Sequence, residues 1–131
     1  MINNSVSLEY LNSFTSIILD SAIRVHREMG PGLLESVYQH CMVAELRERK
    51  LAVDVSVPVC LIYKGKNLNK DYIIDLLVEK EIIIELKAVE GILPIHEAQV
   101  ISYLKLANKK VGLLINFNVP LLKQGFKRFV N

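Results

Sequence analysis

The order of patterns along the chain predicts an α/β layer structure in which helices from both ends of the sequence approach one sheet. Three observations lead there. Apolar residues recur at helical spacing through residues 7–29 and 33–50, and β-branched runs with turn signals fill residues 52–87. The unbroken apolar run Val111-Gly-Leu-Leu-Ile-Asn-Phe117 suits a strand covered on both faces.

In the first helix Phe14, Ile17, Ile18, Ala22, Val25 and Met29 form the expected buried stripe, and Gly30-Pro31-Gly32 stops it. The second, over Leu33 to Lys50, is expected to bury Leu34, Val37, Tyr38, Cys41 and Ala44. Its Arg47-Glu48-Arg49-Lys50 cluster suits a helix C-terminus and reads as a solvated end. Glu35 falls in its first turn, where the dipole favours an anion. Tyr38, three residues on, lies on nearly the same face, so the two could look into one cavity. Strands are expected over Ala52–Val57 and Val59–Tyr63. Pro58 between them marks a strand end, a bend or a sheet edge, and Lys64-Gly65-Lys66-Asn67 follows as a turn. After a loop over Ala88–Leu93, Pro94 suits the start of a third helix through Ala107. Val100, Ile101, Leu104 and Ala107 supply its apolar stripe, and Gln99 and Tyr103 share a face. The tail after Pro120 reads as either a short helix or a short strand.

The chemistry concentrates in Tyr72–Lys87. Two apolar runs, Ile73–Val78 and Ile82–Leu86, flank Glu79-Lys80-Glu81, which reads as a hairpin with a tight turn at the centre of the sheet. With Val78 paired to Ile82, antiparallel counting sets Asp75 opposite Glu85, and alternation puts Lys87 on the face of Glu85. Like charges directly opposite one another are destabilising unless a proton or a cation intervenes. A hard divalent cation answers that need with oxygen ligands. The alternative is an edge hairpin whose acids are solvated, with Lys87 ion-paired to Glu85.

The chain of 131 residues, 51% hydrophobic with a net charge of +2, suits a single folded domain over residues 1–131 and argues against disorder. Its pI near 8.5 neither demands nor repels nucleic acid. Cys41 and Cys60 lie in apolar segments and read as buried free thiols of a reducing cytoplasm. No signal peptide, membrane span, repeat or zinc spacing is evident. His26 and His96 read as structural hydrogen-bonders.

Taken in order, Gly32-Leu-Leu-Glu35-Ser-Val-Tyr38, Asp75, Glu85-Leu86-Lys87 and Gln99-Val-Ile-Ser-Tyr103 resemble the PD-(D/E)XK nuclease superfamily. The first motif is similar to the signature of its small GxxExxY proteins, and the last to that of its RecB-like branch. The resemblance spans about Ile17 to Asn118 and implies a restriction-endonuclease-like fold, a four-stranded mixed sheet flanked by helices, with extra strands common. It further implies that Asp75 and Glu85 hold Mg2+ or Mn2+, with the Leu86 carbonyl as a further oxygen, and that Lys87 orients or activates the attacking water. Glu35 corresponds to an acid contributed from a helix, directly or through a water, and Gln99 and Tyr103 to a motif supporting the metal site or substrate. The chain departs from the pattern at Ile74, in place of the proline of the superfamily's name, and at Ile73, where relatives often carry arginine.

Phosphodiester hydrolysis is the expected reaction and nucleic acid, DNA before RNA, the expected partner. Contacts would come from scattered bases: Lys64, Lys66 and Lys70 near the turn, Lys105, Lys109 and Lys110 after the third helix, and Lys123, Lys127 and Arg128 in the tail. Such binding is phosphate-led and salt-dependent. Two alternatives stand beside it: a nuclease-fold module that binds nucleic acid or a protein partner without turnover, and a structural role within an oligomer.

Overall fold

A computed structural model describes residues 6–131. Helices α1 (Leu8–Met29) and α2 (Glu35–Glu48) precede strands β1 (Val53–Tyr63), β2 (Lys66–Val78) and β3 (Ile82–Lys87). Helix α3 (Pro94–Ala107), β4 (Val111–Asn116), a 3-10 turn (Leu122–Gly125) and β5 (Phe126–Val130) complete the order. The strands form one sheet in the order β1-β2-β3-β4-β5, antiparallel except for the β3–β4 pair. A βαβ crossover through α3 joins that parallel pair. This is a mixed sheet flanked by helices in the restriction-endonuclease-like manner, with five strands where four form the expected core.

Helices α1 and α2 cover one face, packing Leu11, Ile18, Tyr38, Met42 and Leu46 on inward side chains such as Leu76, Ile84 and Ile115. Helix α3 covers the other, setting Val100, Tyr103 and Leu104 on Ile74, Ile83 and Leu114. Burial on both sides explains why β3 and β4 are almost wholly apolar. Among the described residues no helix is long and apolar enough to cross a membrane. Both cysteines are free and half-buried.

Several expectations need correction. The two strands expected on either side of Pro58 are one: Pro58 sits inside β1 opposite Ile73, and of the three readings it allowed the sheet edge holds, β1 being an edge strand. The strand after the turn begins at Lys66, well before the apolar run. On α2 the buried positions are Tyr38, Met42 and Leu46, while Leu34 caps the helix from outside at 74% exposure and Ala44 faces solvent. The inward face of this weakly amphipathic helix is decided by where it lands on the sheet. Met29 and Ile101 are likewise exposed, and Ser21 and His26 occupy the α1 interface instead. The tail holds both elements between which its sequence left a choice.

Tyr38 is a structural clamp rather than a cavity residue. Fully buried, it stacks on Phe117 at 4.4 Å, donates from its hydroxyl to the Gly30 carbonyl at 2.5 Å and accepts from the Leu33 N–H at 3.2 Å. It thereby holds the turn in which Gly30 and Gly32 take φ of 71° and 93°, and that turn aims the start of α2. Tyr38→Phe leaves two backbone groups without their partner and should cost about 1–3 kcal/mol. Urea unfolding measures it, and a midpoint equal to wild type would show that water replaces the hydroxyl.

Candidate active site

The site lies at the end of the sheet where β3 and β4 finish and where α2 and α3 begin. The register is the one the hairpin implies: Val78 pairs with Ile82, Leu77 with Ile83 and Leu76 with Ile84. Glu79 and Lys80 both adopt positive φ to close the turn, at 52° and 61°. The next pair outward is Asp75 and Glu85. Here side chains take over from the ladder: the Asp75 N–H donates to Glu85 Oε1 at 3.2 Å, and the Leu86 N–H donates to Asp75 Oδ2 at 2.8 Å. Each carboxylate thus secures the strand that carries the other.

On its other side, β2 is held in an equally irregular way. Pairing with β1 passes from Val55–Leu76 to Val57–Ile74, and Ser56 between them has φ 52°. The Asp75 carbonyl accepts from Gln39 Nε2 at 3.1 Å. Gln39 escaped the sequence reading, although a position four residues after Glu35 on the same helical face was a usable signal. Glu35, Ser36, Gln39, Asp75 and Leu86 line a groove of about 290 Å³. A larger cavity of about 450 Å³, between Ile23, His26, Pro31 and Leu122, has no part in this cluster.

Electrostatics single out the acid pair. Glu85 is 3% exposed, and burial, reinforced by the charge of Asp75, pushes its pKa from the ordinary 4.5 up to about 8. Asp75 is also raised, by burial first, against the pull of the Leu86 N–H and Lys87. Glu35 is exposed by area, yet the groove withdraws enough water from it to raise its pKa. Lys87 and His96 oppose that rise, and Asp75 adds to it. Lys87 is therefore the cation felt by all three acids. Among the described residues it makes no ion pair within 4.0 Å, so the surface pair with Glu85 is not formed.

On the α3 side, Gln99 Nε2 donates to the Tyr103 hydroxyl at 3.1 Å. Burial and then the charge of Glu85 raise the Tyr103 pKa, which places this pair beside the acids. Among the described residues neither side chain hydrogen-bonds to a carboxylate; Tyr103 instead packs edge-on to Tyr72 at 5.6 Å. His96 Nδ1 accepts from the Leu93 N–H at 3.0 Å, and His26 Nε2 bonds the Val119 carbonyl at 2.8 Å, both structural roles. Buried Asn116 pins the loop after β3 through both backbone groups of Val89, at 3.1 and 2.9 Å.

The remaining basic positions separate. Lys64 and Lys66 stand on the β1–β2 turn beyond the site end of the sheet. Lys105 and Lys109 fall at the end of α3 and the approach to β4, at the opposite end of the sheet, and are not brought near the acids. Lys110 donates to the Val6 carbonyl and Lys127 pairs with Glu97, both at 2.8 Å.

Two carboxylates pressed together beside a groove, both raised in pKa by burial first, are an all-oxygen donor set suited to a hard cation. Among the described residues no three His, Cys, Asp or Glu side chains converge, so Glu35 stands apart from the pair. A sequence model of the PD-(D/E)XK nuclease superfamily matches residues 12–129. No curated protein and no solved structure matches the chain.

Proposed function

Because the chain belongs to the PD-(D/E)XK nuclease superfamily, we propose that it is a metal-dependent nuclease of the small GxxExxY group, RecB-like in its Gln99–Tyr103 helix, that hydrolyses phosphodiester bonds in DNA. The crossed bonds from the Asp75 N–H to Glu85 and from the Leu86 N–H to Asp75, with Lys87 beside them and in no ion pair among the described residues, are the observation that carries this reading. A nucleic-acid substrate follows from the superfamily; DNA, Mg2+ and the roles below are our assignment.

Asp75, Glu85 and the Leu86 carbonyl would hold Mg2+ or Mn2+, which when bound supplies Lewis acidity and lowers the pKa of a nucleophilic water. Lys87 Nζ would orient the attacking water and offset negative charge as the phosphate becomes more anionic. Glu35, at the groove mouth with a raised pKa, accepts a hydrogen bond from water at its carboxylate. Gln39 keeps Asp75 in position by holding its carbonyl. Gln99 and Tyr103 screen Glu85 from bulk water on the α3 side.

Calorimetric titration of Mg2+ and Mn2+ into wild type and Asp75→Asn, followed by incubation with DNA and RNA with or without chelator, tests the proposal. Metal uptake should disappear in the variant, and cut product should accumulate only with metal. Nucleic acid bound equally with and without chelator, and left intact, would instead favour a binding module.

A further inference from the structure

Resting on that reading and extending it, we infer that the distal half of the β1–β2 pair is an arm that enters the major groove of B-form DNA, so that duplex DNA is what reaches Asp75 and Glu85. Strand β3 pairs with β2 only at Leu76, Leu77 and Val78, whereas β1 stays paired with β2 out to Tyr63 and Lys66. The pair therefore runs on as a two-stranded ribbon past the same end of the sheet that holds the acids. From Pro58 to Tyr63 it extends about 17 Å at roughly 3.4 Å per residue. Its root is seated on α3 through Val57, Val59 and Tyr72, while every residue from Ile62 to Asp71 is exposed.

The ribbon is bent. Between the Cys60–Asp71 and Ile62–Asn67 pairs, β2 supplies Leu68, Asn69 and Lys70 against Leu61 alone, and Asn69 takes φ 56°. Such a bulge bends its strand and increases the twist. The tip is basic: Lys64, Lys66 and Lys70 face one acid, Asp71, beside the neutral Asn67 and Asn69, and among the described residues none of these lysines has a carboxylate within 4.0 Å. Ile62, Tyr63 and Leu68 are 51%, 58% and 48% exposed.

Groove geometry selects the partner. The B-form major groove, about 12 Å wide, admits a two-stranded ribbon, with lysines reaching the phosphate walls and apolar side chains the base edges. An A-form RNA duplex has a deep, narrow major groove that excludes it. A single strand is gripped by successive stacking aromatics, of which the exposed tip has only Tyr63. Because β2 continues from Lys70 to Asp75, seating the arm also sets where along the backbone the acids fall.

Binding in chelator tests this without turnover, by fluorescence anisotropy of wild type and a Lys64→Gln, Lys66→Gln, Lys70→Gln variant. The probes are a DNA duplex, an RNA duplex and a DNA single strand of one sequence. Wild type should prefer the DNA duplex by about tenfold or more. The variant should lose roughly tenfold to a hundredfold on that duplex, with the slope of log affinity against log salt shallower by about 2–3. A second variant replacing residues 62–71 by an Asn-Gly turn should lose the preference, and circular dichroism checks its fold; should it misfold, the glutamine variant decides alone. Equal wild-type affinity for the three probes, or unchanged duplex affinity in the glutamine variant, overturns the inference. Arm-dependent binding without cleavage in Mg2+ would retire the nuclease reading and leave the arm standing; cleavage with arm-independent binding would do the reverse.

Discussion

Replacing Lys87 with alanine should lower nucleic-acid turnover by roughly a hundredfold to a thousandfold, about 2.7–4 kcal/mol of transition-state stabilisation. Lys87 closes β3, and its charge acts on Glu35, Asp75 and Glu85 while pairing directly with none of them within 4.0 Å. A lysine committed to a carboxylate would have its charge spent in the resting protein. This one is free to meet charge that develops during reaction. Removing it should cost little stability, because among the described residues it forfeits no hydrogen bond from the side chain and leaves the Lys87 carbonyl on the Phe117 N–H in place. The check is a single-turnover rate beside an unfolding curve. Equal rates in wild type and Lys87→Ala would trace the activity to a contaminant, and a large fall in stability would assign Lys87 to the fold.

In chelator, the protein should become less stable as pH rises from about 4.5 to about 8. The folded pKa of Glu85 is about 8 against an ordinary 4.5, so over that window the folded state keeps a proton that the unfolded state has released. The contribution is complete at the acid end and is lost as pH climbs through the folded value. Asp75, raised by the same burial, acts in the same direction, whereas Lys87 moderates both. Tyr103 and Glu35, close by, are also raised. Glu85→Gln should flatten the dependence and raise stability at the alkaline end by on the order of 1–3 kcal/mol. Mg2+ should reverse the trend in wild type alone, since it binds the deprotonated pair and adds more stability as pH rises. Urea unfolding across the window, with and without Mg2+, measures all of this; stability that rises with pH in chelator would contradict the burial of Glu85.

Local chemistry left a clear record in this chain. Pro94 at the first position of α3, the tight turn that pairs Val78 with Ile82, and the spacing of Gln99 to Tyr103 were all legible, because each depends on neighbours within one element. The juxtaposition of Asp75 and Glu85 was legible for the same reason: a hairpin turn fixes register, and register fixes which side chains meet. Other features depended on contacts between distant segments. Pro58 leaves a strand end, a bend and a sheet edge open until β1 is seen to be an edge strand. The inward face of α2 is chosen by the sheet beneath it, which turned Leu34 and Ala44 outward and Tyr38, Met42 and Leu46 inward.

By itself, then, the sequence determined the three helices around a central hairpin, the superfamily and the acid pair with its neighbouring lysine, all written in short-range spacing. Only the tertiary structure decided that Gln39 reaches across to the Asp75 carbonyl, that Tyr38 ties down the turn ahead of Glu35, that Lys105 and Lys109 lie at the far end of the sheet, and that the β1–β2 ribbon projects beyond the site. The physical reason is that periodicity records which side of its own element a residue occupies. What that side then meets is set by packing between elements far apart in the chain.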